Sequence, residues 1–145
     1  MQPAPFQSMT EQQQQLVQAS WKSIETIGGM VPTLFYAKLF ELDASTRLLF
    51  PSDTGEQGNK LRSMLTFAVN NIGHLEHLAP TIRELGRRHL ADGVRDDHYA
   101  IMGAALLWTL ARCLGPSCTD EVREAWVAAI IMVSDAMRHP AATAA

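Results

Sequence analysis

The stretch PTIRELGRRHLADG, residues 80–93, decides the fold prediction, because it reads as one helix with a single imidazole on an apolar face. Proline at the start and glycine at the end are the usual punctuation of a helix. Ile82, Leu85, Gly86 and His89 recur at helical spacing and so share one side, while the charged residues between them point elsewhere. The pattern predicts that His89 is the one ionisable group on this face.

His89 has two interpretations at this stage. Taken alone, a neutral histidine that only hydrogen-bonds within the core is the commoner case. A neutral imidazole is also a common iron ligand, and its second ring nitrogen then needs an acceptor, which the carbonyl of Leu85 four residues earlier can provide. Gly86, one turn before His89, is expected to leave room for a planar ligand to approach the helix.

The rest of the sequence predicts an all-α protein. Helix caps are frequent, such as the capping box of Thr10 and Gln13, and the alternating β-branched runs typical of strands are missing. Six or seven helices are expected, over residues 10–27, 34–42, 43–50, 53–72, 80–93, 96–114 and 119–138. We expect a mobile leader over residues 1–9, one folded domain over 10–139 and a mobile tail over 140–145.

Composition excludes several classes of protein. The chain has 145 residues, enough for one domain with a sizeable core, and its net charge of -3 with no basic stripe argues against nucleic acid as a partner. The longest apolar run, residues 125–133, is shorter than the roughly 20 residues that cross a bilayer. No signal peptide is recognisable, so a cytoplasmic location without membrane insertion is expected. Cys113 and Cys118 lack zinc-site spacing and are interpreted as free thiols, with a reversible bridge as the alternative.

The helix over residues 53–72 is expected to form the wall opposite His89. It places Gln57, Leu61 and either Met64 or Leu65 along one line, and an amide at the mouth of an apolar pocket suits a small, partly polar ligand. Thr54 and Gln57 also fit a capping box, in which the amide would bend back to the helix start.

Two aromatic residues complete the predicted pocket. Tyr36 lies in an apolar segment, and a buried phenol needs a hydrogen-bond partner. In one interpretation the Tyr36 hydroxyl donates to a backbone carbonyl. In the other, Tyr36 and Gln57 both donate hydrogen bonds to a bound diatomic ligand. Phe50 is either a ring that stacks on a macrocycle or an ordinary core residue.

Sequence blocks along most of the chain, from Leu16 to Met137, resemble the globin family. They are LVQASW, LFYAKLF, TRLLF ending in Phe50, KLRSML after Gln57, LGRRH ending in His89, GAALLWTL and REAW. The chain is similar to the single-domain bacterial haemoglobins related to the haem domain of flavohaemoglobins, and LGRRH and CLGPSCT also resemble blocks of neuroglobin.

The resemblance implies a globin fold around haem b, iron protoporphyrin IX. It implies His89 as the proximal iron ligand, which also makes it the metal-binding residue, with Leu85 beside it and Phe50 packed on the haem. The other implied roles are a distal pocket of Tyr36, Gln57 and Leu61, proximal contacts from Val94 and Tyr99, and haem propionate partners in Lys60 and Arg88.

The sequence departs from the resembling families at two places. Neuroglobin-like globins have a histidine where Gln57 stands, so an open sixth iron position is expected here, with His74, His77, His98 and His139 on the surface. Flavohaemoglobins pair a tyrosine like Tyr99 with a glutamate of the last helix, whereas the matching stretch SDAMRHP offers only Asp135. No flavin or nicotinamide segment follows in this sequence.

The function implied is reversible binding of O2, with CO and NO as further ligands, for oxygen binding, storage or transport. The alternative is a nitric oxide dioxygenase that works with a separate reductase, or a peroxidase-like side activity. A gas or redox sensor and a haem-free globin-like regulator are the remaining interpretations. We expect a monomer or a weak homodimer.

Overall fold

The computed structural model describes residues 9–27, 29–50 and 54–138, and this part of the chain contains six α-helices, three short 3-10 helices and no β-strand. The all-α prediction is confirmed. The predicted leader and tail lie outside the described residues, apart from Met9, which is buried in the core. The α-helices are α1 (Glu11–Ile24), α2 (Met30–Leu42), α3 (Thr54–Asn70), α4 (Leu75–Ala91), α5 (Asp96–Leu114) and α6 (Asp120–Arg138), and the 3-10 helices are Glu25–Ile27, Ala44–Leu49 and Gly115–Ser117.

Side-chain caps set several of these boundaries, as the sequence predicts. Thr10 and Gln13 form the capping box of α1, with both hydrogen bonds 3.0 Å long. The Asp43 carboxylate accepts the Ser45 N–H at the start of the helix Ala44–Leu49, and the Thr119 hydroxyl accepts the Val122 N–H at the start of α6. Each cap pairs a backbone N–H that the helix itself leaves without a partner.

The start of α4 differs from the prediction. The helix begins at Leu75, so Pro80 lies inside it and not at its first position. The added turn carries Leu78, which is fully buried in the core. Burying a leucine side chain contributes about 2 kcal/mol, which favours continuing the helix in front of the proline.

The main core joins the two ends of the fold. It is built from buried residues of all six α-helices. The indole N–H of Trp126 in α6 donates to the hydroxyl of Ser20 in α1 over 2.8 Å. Cys113 and Cys118 pack against this core as free thiols. A second cluster lies between α2 and α5, and it consists of Phe35, Tyr36, Leu39 and Ala105.

One segment of the described chain, Asp96–Ser117, is long and apolar enough to cross a membrane by length and composition alone. It comprises α5 and the short helix after it, and α5 packs against α1, α2 and α6. An apolar composition is also what a helix in the middle of a folded domain requires. The length and composition of this segment therefore carry no argument for a membrane.

Candidate functional site

A cavity of about 350 Å³ opens between the main core and the second cluster. Its walls come from all six α-helices and from the segments around Phe50 and Val94, and most of its lining is apolar. The cavity is lined by all ten residues that were predicted to bind the haem or its ligand: Tyr36, Phe50, Gln57, Lys60, Leu61, Leu85, Arg88, His89, Val94 and Tyr99. The structure thus brings residues from four helices and two connecting segments to one place.

His89 presents a neutral imidazole to this cavity. Its Nδ1 lies 2.9 Å from the carbonyl oxygen of Leu85, and because a carbonyl can only accept, Nδ1 must carry the proton. Burial lowers the pKa of His89 below its usual 6.5, although the Leu85 carbonyl and the Asp92 carboxylate act in the opposite direction. The remaining nitrogen, Nε2, therefore has a free lone pair, which is the form in which histidine binds a metal.

The chain turns sharply directly after His89. The Gly93 N–H donates to the Leu90 carbonyl over 3.2 Å and the Val94 N–H donates to the His89 carbonyl over 2.9 Å, the two bonds of a Schellman motif. Gly93 has φ +96°, a conformation that L side chains rarely adopt. The turn fixes Val94, which is buried, in the cavity wall close to His89.

Tyr99 covers the His89 ring from α5. The two ring centroids are 6.2 Å apart and the ring planes differ by 23°. Burial raises the pKa of Tyr99, and Asp96 raises it further against the opposing charge of Arg138. Asp135, the only acidic residue in the matching stretch of α6, bonds to Arg138 at 3.5 Å. The Asp135 carboxylate thus pairs with Arg138 and not with Tyr99.

The opposite wall carries two polar groups without partners. Tyr36 is 8% exposed, and burial raises its pKa to about 12, so its hydroxyl stays protonated at neutral pH. The rings of Phe50 and Phe40 hold it, with centroids at 5.1 Å and 6.0 Å. Among the described residues neither the Tyr36 hydroxyl nor the Gln57 amide has a hydrogen-bond partner. Gln57 thus lines the cavity, while the Thr54 side chain, its partner in the alternative capping box, lies outside the described part of the structure.

Two cations lie at the rim of the cavity. Lys60 and Arg88 have side chains that are 67% and 74% exposed, and each is near a glutamate of its own helix, Glu56 at 4.0 Å and Glu84 at 3.7 Å. Exposed pairs of this kind contribute little free energy, about 0 to 1 kcal/mol. Both cations can therefore turn to another anion at small cost.

Gly86 does not have the predicted role. A Cβ atom built on Gly86 would lie 2.8 Å from the Met137 Cα and closer still to the Met137 carbonyl oxygen. The missing side chain therefore allows the backbones of α4 and α6 to touch, and it does not make room in the cavity. The face of α4 was predicted correctly, but the neighbour on that face is a helix.

His98 is also placed differently from the prediction. It is 7% exposed, and its Nδ1 accepts the Arg95 N–H over 2.9 Å, so it caps the start of α5. The prediction of a surface residue was wrong, because a histidine three positions after the cap can fold back onto the backbone. His74 and His77 are exposed as predicted, and His139 lies outside the described residues.

Sequence reasoning missed part of the lining. Met102 and Leu106 reach the cavity from α5, and Val133 and Ser134 reach it from α6. Met102 and Leu106 are four residues apart, so helical spacing could have assigned them to one face. Nothing in the sequence indicated that this face meets the cavity, because both long helices are apolar on several sides.

Comparison with known proteins identifies the fold. The family model described as Globin matches residues 33–137. The chain belongs to the globin family. Neuroglobin of Danio rerio is 28% identical over 146 residues, 91% of this chain and 92% of the relative. A flavohemoprotein of Bacillus subtilis is 30% identical over 129 residues, 79% of this chain, and this chain spans about a third of that relative's length.

A solved structure agrees with this assignment. An engineered carbene transferase, made from a Rhodothermus marinus protein described as a candidate nitric oxide dioxygenase, superimposes with a TM-score of 0.84. It is 27% identical and covers 94% of this chain and 96% of its own. As a globin, the protein binds haem and small gas molecules.

The residues of this globin fit a haem. Nε2 of His89 is free for iron, the surrounding walls are apolar enough for a flat aromatic macrocycle, and cations stand at the rim where carboxylates of a haem would reach solvent. No other imidazole of the described chain lines the cavity.

Proposed function

We propose that this globin binds O2 reversibly at a haem b held by His89, and that CO and NO compete for the same open position. One observation carries the proposal. The unpartnered hydroxyl of Tyr36 and the unpartnered amide of Gln57 line the same apolar cavity as the free imidazole nitrogen of His89. Neither group is fully buried, so a small ligand in the cavity can reach both and accept their hydrogen bonds.

When bound, the haem would supply an iron atom that takes up a diatomic gas. His89 would hold the iron, and the Leu85 carbonyl fixes both the tautomer and the orientation of the His89 ring. Tyr99 restricts rotation of that ring by stacking on it, and Val94 lines the same cavity. On the other side Tyr36 and Gln57 donate hydrogen bonds to a polar diatomic guest.

The apolar walls strengthen these two donors. Leu61, Met64 and Phe50 line the same cavity and lower the local dielectric around the two donors. A hydrogen bond in such low-dielectric surroundings is stronger than the same bond in water. We infer that bound O2 dissociates more slowly than it would without these donors. CO gains less from them, because it is a weaker hydrogen-bond acceptor.

Lys60 and Arg88 are proposed to anchor the cofactor at the rim. Each would exchange its exposed glutamate, Glu56 or Glu84, for a haem carboxylate. The exchange replaces one surface ion pair by another, so the free-energy gain is small. The main affinity for the cofactor therefore comes from His89 and the apolar walls.

The test is an absorption spectrum of the reduced protein before and after exposure to CO. The His89→Ala variant is expected to lose pigment and CO uptake, while His77→Ala, an exposed histidine of the same helix, keeps both. Added imidazole should restore CO uptake in His89→Gly, because it replaces the lost ligand. Undiminished pigment and CO uptake in His89→Ala would overturn the proposal.

A second candidate function is the conversion of NO and O2 to nitrate, with a separate reductase returning one electron per turn. Relatives named flavohemoprotein and the dioxygenase-derived structure favour it. The Arg138 pairing of Asp135 argues against a carboxylate that activates His89 through Tyr99. Repeated NO consumption with a reductase and a nicotinamide reductant would favour the enzyme, and a single stoichiometric reaction would exclude it.

Five further properties stay predictions: a peroxidase-like side activity, a role as a gas or redox sensor, a role as a haem-free regulator, a cytoplasmic location and a monomeric or weakly dimeric state. Failure to take up haem during expression with sufficient haem would favour the regulator.

A further inference from the structure

A second, polar cleft lies on the far side of Tyr36. It has a volume of about 290 Å³ and is formed by one side of α2 from its start to Phe40, the first half of α3 and the short helix Ala44–Leu49. Tyr36 lines both this cleft and the haem cavity, so its ring belongs to the wall between them. None of the other residues that line this cleft reaches the haem cavity.

No described acidic residue neutralises the two arginines of this cleft. Arg47 and Arg62 both line it, and neither has an ion pair with any described residue. The amide of Asn59 and the hydroxyl of Thr33 also line it, without a hydrogen bond to the described chain. The lining contains no aspartate or glutamate among the described residues.

Two features of the backbone and the rings hold this arrangement in place. The Arg47 guanidinium lies 5.0 Å from the centre of the Phe40 ring, a cation–π contact that keeps the charge over the cleft. A Cβ atom on Gly58 would lie 2.8 Å from the Pro32 Cβ, so α2 and α3 are in close contact at the cleft floor. The first turn of α2 adds the partial positive charge of a helix N-terminus.

We propose that this cleft binds a small multivalent oxyanion, one that carries phosphate or carboxylate groups. Two guanidinium groups match the oxygens of such an anion, and an amide and a hydroxyl add further donors. The protein as a whole has a net charge of -3, so an uncompensated pair of arginines at one concave site does not follow from a general excess of positive charge. The volume exceeds the needs of a monovalent halide and suits a small metabolite.

The anion site does not depend on the haem proposal. Its donors, Arg47, Arg62, Asn59 and Thr33, do not line the haem cavity. Loss of anion binding with intact pigment would therefore concern this cleft alone, and loss of pigment with intact anion binding would concern His89 alone.

The test is titration calorimetry on the pigmented protein with inorganic phosphate and, separately, with citrate, both at constant ionic strength set with chloride. Wild type is expected to bind at least one of them, and the better of the two identifies the preferred group. Arg62→Gln and Arg47→Gln should each weaken binding about 10-fold or more, because each removes a charge-assisted hydrogen bond. The matched control is Arg123→Gln, which removes the same charge from an exposed position on α6.

Unchanged absorption spectra check that each variant is folded and pigmented. The proposal is overturned if wild type binds neither anion beyond the chloride background. It is equally overturned if Arg123→Gln weakens binding as much as Arg62→Gln, because the effect would then report net charge and not a site.

Discussion

Replacing Gly86 with alanine tests how α4, the helix that carries His89, is held in place. In an exposed helix the change from glycine to alanine stabilises by about 1 kcal/mol. Here the new Cβ would lie 2.8 Å from the Met137 Cα and 2.9 Å from its carbonyl carbon, whereas ordinary contact begins at 3.4 Å. The neighbouring atoms are backbone and cannot rotate away, so α4 and α6 must separate by at least about 0.6 Å, and by more where the Cβ meets the Met137 carbonyl oxygen.

Overpacking of this kind costs about 3 kcal/mol at the upper end of its usual range, which leaves a net loss of about 2 kcal/mol after the helix propensity is subtracted. For a chain of this size the loss lowers Tm by about 6 to 8 °C. Thermal unfolding followed by circular dichroism measures it. Gly29→Ala is the control, since no atom lies within 4 Å of the new Cβ, and its effect should stay within about 0.5 kcal/mol. A Gly86→Ala protein as stable as wild type would refute the packing argument.

Three further predictions concern the site. Tyr36→Phe and Gln57→Leu should each raise the O2 dissociation rate about 10-fold, the value of one hydrogen bond, and unchanged stopped-flow rates would remove the residue concerned from the mechanism. Acid should release the pigment below pH 6.5. Burial lowers the pKa of His89, so the folded state binds the proton less tightly than the unfolded chain does. The stability present above pH 6.5 is therefore lost as the pH falls through the lowered pKa. Absorption that stays unchanged from pH 7 down to the onset of acid unfolding would contradict this. Gly93→Ala should cost about 1 to 2 kcal/mol, because φ +96° is strained for alanine, and an unchanged Tm would show that the turn adapts.

Local chemistry made much of the fold predictable. The caps at Thr10, Asp43 and Thr119 and the stop signals at Gly93 and Gly115 act over three or four residues, and the sequence contains all of their partners. The hydrogen bond from His89 to the Leu85 carbonyl is equally local, since both residues lie on one turn of α4.

The sequence-based predictions were wrong where residues distant in the chain determine the local structure. The early start of α4 depends on the burial of Leu78, and the role of Gly86 depends on Met137 in α6. Helical spacing identifies which residues share a face, but it does not identify what packs on that face. The cleft beside Arg47 and Arg62 went unpredicted for the same reason, because it exists only where two helices and a short connecting helix meet.

The bond between Ser20 and Trp126 has a consequence for the order of assembly in the cell. These residues are 106 positions apart, so a nascent α1 leaves the ribosome long before the helix that it docks on. Val17 of α1 and Ala129 of α6 both line the haem cavity, which therefore cannot close until synthesis has passed α6. We therefore expect the complete cavity to be available to a cofactor only after α6 has been synthesised.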